Sequence, residues 1–334
     1  MKRAILWPAA VLVALLLFNL VFTPDFLAIS IVNGRLHGSL IDIFNRAVPV
    51  LLISLGMTLI IATRGVDLSV GATTAIVGAV AASLIARPEG GMLSGFPTMG
   101  LVGIIAIALT VALICGLFNG VLVAFFKVQP IVATLLLMVA GRGVAQLITN
   151  GQIVTFEMPA FQAIGNGAFL FLPVPIWIFL AAAAVVVLLV HGTAFGLFVS
   201  ATGSSPEAAR LSGIRSQNVI LVCYVICAIC AGVAGLIQTA DIKAADINNA
   251  GLYMELDAIL AVAIGGTAMT GGRFSLLGTV IGAILMQALT TTILTRGVPT
   301  ESTLVLKAFL VVLVCLLQSD QFRRRFQMKR ATSQ

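Results

Sequence analysis

The sequence predicts an all-α membrane protein that crosses the bilayer about ten times and keeps both termini in the cytoplasm. Three observations carry this. Of 334 residues, 60% are hydrophobic and 9% charged, with a mean hydropathy of +1.14. That is more apolar surface than one water-soluble core can bury. The apolar residues gather in runs of about 17 to 28, enough for helices across a hydrocarbon layer ~30 Å thick, and they lack the alternation of barrel strands. Finally, Lys and Arg are unevenly divided between alternate connections.

The expected spans, in order, are 4–22, 44–63, 69–86, 99–126, 130–149, 172–191, 217–239, 253–269, 274–294 and 303–319. The first follows Lys2 and Arg3 like a signal peptide. Its apolar run is too long for one, and no small-x-small site follows, so it reads as a retained helix. With the amino end inside, the inner side collects Lys2, Arg3, Arg64, Lys127, Arg210, Arg215, Arg273, Arg323, Arg324, Arg325, Lys329 and Arg330. The outer side collects Arg35, Arg46, Arg87, Lys243 and Arg296, while Arg142 and Lys307 fall within spans. Twelve against five sets the orientation. The whole chain, 1–334, is then one transmembrane domain with a basic tail over 320–334, whose cluster at 322–330 lies against anionic lipid.

The net charge of +7 sits in short loops and at the termini without interleaved aromatics, which excludes a nucleic-acid partner. Cys115, Cys223, Cys227, Cys230 and Cys315 all lie in apolar runs and read as packing residues. The sequence offers no metal site, because His and acidic ligands are missing nearby. Nor does it offer a catalytic residue: His37 and His191 stand apart from any nucleophile motif. None of the five lysines stands in a P-loop context, so any work done on a solute is driven by another protein.

Three features carry functional expectations. The longest polar interval that reads as helical, about 192–216, lies on the inner side and centres on Glu207, Ala208, Ala209, Arg210 and Gly213; it reads as a short helix presented to a cytoplasmic partner. Outer connections 23–43, 150–171 and 240–252 either dock something delivered from outside or simply join helices. Two apolar stretches are broken by glycine: Gly65-Val66-Asp67-Leu68-Ser69-Val70-Gly71, and Gly265-Gly266-Thr267 with Gly271-Gly272-Arg273 after a short span that begins with Glu255 and Asp257. Broken helices expose backbone groups to a polar solute, which makes Asp67, Asn119, Asp257, Gly265, Gly266 and Thr267 candidates for a pathway. The competing reading makes both breaks tight inner turns, with Asp67 as the N-cap of the third helix. Arg142, inside a span, either faces water, pairs with an acid such as Asp257, or snorkels outward. Gly116-x-x-x-Gly120 and Gly278-x-x-x-Gly282 read as close-packing motifs, and Asn119 and Gln287 as interhelical or solute-facing amides.

Glu207-Ala208-Ala209, three residues and Gly213 resemble the Glu-Ala-Ala…Gly coupling loop of ABC-importer permeases, although its Ile-x-Leu-Pro tail is replaced by Ser216-Gln217-Asn218-Val219. The run from Gly65 to Gly71, with Leu256-Asp257-Ala258-Ile259 and the later glycine turns, resembles the monosaccharide permeases of the ribose, arabinose, xylose and galactofuranose group, and 271–292 is most like the galactofuranose branch. The resemblance spans about 40–318. It implies a ten-helix subunit of a bacterial inner-membrane importer, working with a second permease, a periplasmic sugar-binding protein and a cytoplasmic ATPase that holds ATP and Mg; this chain would need no cofactor. A branched-chain amino-acid ABC permease and an ion-coupled secondary transporter are the alternatives.

Overall fold

A computed structural model describes residues 2–23, 26–32, 35–87 and 91–297, together with Ser302, Val305, Lys307, Ala308, Phe309 and Val312. The expected basic tail over 320–334 and Cys315 lie outside the described residues, as does most of the expected span 303–319.

The protein is an all-α polytopic membrane protein, and seven of its described helices are long and apolar enough to cross a bilayer. They are α1 (Lys2–Phe22), α2 (Ser39–Ala62), α4 (Leu101–Ala124), α5 (Pro130–Ile148), α7 (Val174–His191), α10 (Ser216–Ile242) and α12 (Leu276–Thr295). Between them lie α3 (Val70–Ala86), α6 (Pro159–Asn166), α8 (Phe195–Ser204), α9 (Pro206–Leu211) and α11 (Met254–Ile264). Two boundaries depart from expectation. Helix α2 starts at Ser39 because Asp42, Asn45 and Arg46 continue its outer turns. The expected span 253–269 is helical only as α11, whose 11 residues reach ~16 Å, about half a bilayer core.

Helix α2 is the hub. Every residue from Ala47 to Ala62 is buried, as expected for a helix apolar on all sides. It packs against α7, α10, α11 and α12. Gly56 lets α2 touch the backbone of α10 at Cys227, where a side chain would collide. Gly116 and Gly120 of α4 lie on α10 at Tyr224, Val225 and Leu221, and Gly278 and Gly282 of α12 lie on α11. Both small-residue motifs therefore serve helix packing. Helix α1 joins from outside through a bond from Asn19 Nδ2 to Thr292 Oγ1 of α12, 2.7 Å.

The connections 23–43, 150–171 and 240–252 come together. Strand β1 (Ser30–Val32) pairs with β2 (Arg35–His37), β3 (Val154–Thr155) with β6 (Ala244–Ala245), and β4 (Ala168–Phe169) with β5 (Leu172–Pro173), all antiparallel. Leu36 N donates to Phe171 O at 2.8 Å, and Asn166 Nδ2 to Asp241 O at 2.8 Å. Segments 23–43, 150–171 and 240–252 thus form one joined surface.

Candidate functional site

At the opposite end, the polar interval folds as two short helices with a sharp break at Ser205, whose extended backbone (φ −158°) stops α8. Ser205 is the N-cap of α9, its Oγ accepting from Ala208 N at 3.3 Å, and Pro206 follows at the first helical position. Glu207 lies in the first turn and Arg210 in the last, each complementing the helix dipole. Gly213, at φ +83°, ends the helix: its N–H donates to Arg210 O and the Ile214 N–H to Ala209 O, both at 3.0 Å. Such a left-handed exit favours glycine. Ala209 is buried against the body of the protein, whereas Glu207, Ala208, Arg210 and Leu211 face outward, Leu211 with 87% exposure. An apolar knob preceded by an acid and a base is thereby held on a six-residue stub.

The first break, 63–69, brings two candidates together. Asp67 Oδ1 accepts from Ser69 N at 2.8 Å, Ser69 Oγ at 2.6 Å and Asn119 Nδ2 at 3.5 Å, and Asn119 Nδ2 also reaches Ser69 Oγ at 2.7 Å. Asp67 and Asn119 are each 1% exposed. The N-cap of α3 is Ser69, with Asp67 bracing it from two residues upstream. Burial pushes the Asp67 carboxyl above its ordinary range, opposed by the bonds from Ser69 and Asn119. The fully buried Tyr224 holds the same turn through its hydroxyl, which donates to Val66 O at 3.3 Å.

Gly265 at the second break packs against the Gly278 backbone, and the turn through Gly266, at φ +83°, leads to Thr267, whose Oγ1 accepts from Ser275 N at 3.3 Å. Ser275 caps α12 by accepting from Gly278 N at 3.1 Å. Of the readings open for Arg142, the pairing with Asp257 does not form. Asp257 pairs with Lys307 at 2.8 Å, while Arg142 Nη1 donates to Ile247 O at 3.2 Å and Ala250 O at 3.3 Å, tying down the segment that leads into α11.

What sequence reasoning missed is that the two broken helices begin at the same place. Gly71, the second residue of α3, is in backbone contact with Gly251, just before α11, and the Glu255 carboxylate lies beside it. Glu255 is 4% exposed and its Oε2 has no hydrogen-bond partner; it sits in the first turn of α11 and next to the first turn of α3. Two helix N-termini directed at one buried carboxylate account for its charge type. An acid near the start of a short apolar run, followed by glycines, was the available signal.

The model of the family described as "Branched-chain amino acid transport system / permease component" matches residues 39–315, from the first residue of α2 through both breaks and the projection. The chain belongs to this permease family. Among curated proteins, the permease is 48% identical to the galactofuranose transporter permease protein YtfT of Escherichia coli (strain K12), covering 96% of this chain and 93% of that one. It is 36% identical to the fructose import permease protein FruF of Bifidobacterium longum (strain NCC 2705), covering 94% and 87%. It is also 35% identical to the ribose import permease protein RbsC of Escherichia coli (strain K12), covering 81% and 82%. No solved structure matches the permease.

Proposed function

We propose that this permease is the membrane subunit of an ABC importer that carries a monosaccharide across the bacterial inner membrane. A separate ATPase drives it, a periplasmic binding protein delivers the sugar, and a second permease subunit, of the same or similar sequence, completes the pathway. The ten crossings and the inner placement of both termini belong to this reading. The observation that carries it is the α8–α9 pair: an anchored, capped, six-residue helix that exposes Glu207, Arg210 and Leu211 has the shape of a docking element for a cytoplasmic motor. The names of relatives 35–48% identical, all of them sugar permeases, favour a sugar over an amino acid.

The pathway is assigned to the subunit interface, along the exposed face of α5. Its second half interleaves the small or polar Ala140, Gly143 and Gln146 with the exposed Val139, Val144 and Leu147, a mixed face that a close protein neighbour can cover. Asp67, Asn119 and the 265–267 turn shape this route from behind by fixing where α3 and α12 begin.

Reconstitution in proteoliposomes with the ATPase and binding protein tests the reading. Uptake of a labelled monosaccharide should require ATP, and Glu207→Arg or Gly213→Pro should abolish ATP-driven uptake at normal protein levels. Uptake by the permease alone on an ion gradient would establish a secondary transporter instead. ATP-driven uptake of leucine but no sugar would establish an amino-acid permease.

A further inference from the structure

Arg64 stands, exposed, on the turn after α2 in a left-handed conformation, φ 67°. Its guanidinium reaches another part of the chain. Nε donates to Gly203 O at 2.5 Å and Nη2 to Ser204 O, so the planar fork grips two successive carbonyls at the end of α8. Those are the unpaired carbonyls of a helix C-terminus, the end that favours a cation.

A third segment enters the same junction. Gly272 N donates to Ala62 O, the last residue of α2, at 2.9 Å. A side chain at Gly203 would collide with that same Ala62 carbonyl, and one at Gly271 would lie 2.5 Å from Arg64 Cγ. The end of α2, the end of α8 and the turn between α11 and α12 therefore meet backbone to backbone, with the Arg64 side chain bridging the first two and lying against the third.

The place of this junction in the chain gives it a consequence. Ser204 directly precedes Ser205, the cap of α9, so force applied to α9 arrives at the gripped carbonyls within one residue. From the junction, the chain runs through Asp67 and Ser69 into α3, and backward from Gly271 through the 265–267 turn into α11. These are the two short helices whose N-termini meet at Gly71 and Gly251. We propose that Arg64 is the positioning residue that makes the α8–α9 projection move as one body with both broken helices, so that motor movement reaches the solute pathway instead of bending the projection. This rests on α9 being the motor's docking element.

The test uses the reconstituted importer and reads three quantities: ATPase co-purified with the permease, ATP hydrolysed, and sugar taken up per ATP. Arg64→Ala should retain the ATPase at wild-type stoichiometry and hydrolyse ATP within twofold of wild type, yet take up at least tenfold less sugar per ATP. Arg64→Lys, a cation without the fork, should recover part of that ratio, and Arg64→Gln is read in the same way if the alanine variant fails to insert. Unchanged uptake per ATP would overturn the proposal. So would a loss of hydrolysis and uptake in step with folded protein, the mark of a purely structural residue. Leu211→Asp serves as the separate check on docking: it should lose the ATPase altogether, and retention of the ATPase would refute the reading of α9 and this proposal with it, whereas loss of the ATPase there with unchanged uptake per ATP in Arg64→Ala would overturn the role of Arg64 alone.

Discussion

Asp67 is a buried carboxylate whose three hydrogen-bond donors come from Ser69 and Asn119, and among the described residues it has no ion pair. Removing the acceptor strands the Ser69 N–H and hydroxyl in a buried place, at about 1–3 kcal/mol per buried donor, while Asn119 keeps its bond to Ser69 Oγ. Asp67→Ala should therefore lower the thermal unfolding midpoint in detergent, and Asp67→Asn, which keeps an acceptor oxygen, should lower it less. An alanine variant with wild-type stability and no uptake would place Asp67 in the pathway. The sign of the pH effect follows from burial. With the folded carboxyl held above its ordinary value of 3.8, the folded state binds its proton more tightly than the unfolded chain. Stability contributed by this group is complete below that ordinary value and declines as pH rises toward the folded one. Asp67→Asn should flatten that slope in unfolding midpoints measured across acidic pH.

Elements were legible to very different degrees. The long helices were readable because hydrocarbon demands some twenty apolar residues in a row and leaves backbone groups no partner except their own helix. The α9 stub was readable too, since Pro206 opens it and Gly213 closes it with residue types that suit those backbone positions. Helix α11 was legible only in part: Gly265-Gly266 marks a break, but the expected span runs to 269, and packing of Gly265 on Gly278 shows that the helix stops at Ile264. The pairing of β3 with β6 was not legible, because two-residue strands carry no periodic pattern. The partners of Arg64 and Arg142 are backbone carbonyls, which have no side-chain signature at all. The meeting of α3 and α11 makes its own prediction. Glu255→Gln keeps the shape at the two N-termini and should insert and fold, with a modest loss of stability of about 1 kcal/mol from the weakened dipole contact. Glu255→Lys puts a cation where both dipoles are positive and should sharply reduce folded protein on size-exclusion chromatography. Equal yields for the two variants would show that the carboxylate's charge is irrelevant there.

At the scale of the whole molecule, the outward faces of the helices are mostly apolar, as a surface covered by lipid tails would be. Helix α7 exposes Leu180, Val185, Val187 and Leu188, and α4 exposes Val102, Ile114, Leu117 and Phe118. Helix α5 exposes Ile131, Val132, Leu135, Leu136, Val139, Val144 and Leu147, and in its second half interleaves Ala140, Gly143 and Gln146 with them. Small and polar residues on a membrane-facing surface gain little from lipid and much from a close protein neighbour or a water-filled gap. That half of α5 also adjoins the surface where the three connections join, through a bond from Gln146 Nε2 to Asn248 Oδ1 at 3.4 Å. If the importer contains two copies of this chain, an axis beside α5 brings Gly143 close to its own counterpart, since a two-fold interface opposes equivalent residues. With the five native cysteines replaced, Gly143→Cys should form an intermolecular disulfide in oxidised membranes, and Leu180→Cys on α7 should remain monomeric. Cross-linking through α7 but not α5 would move the interface, and the solute pathway with it, to the other side of the subunit.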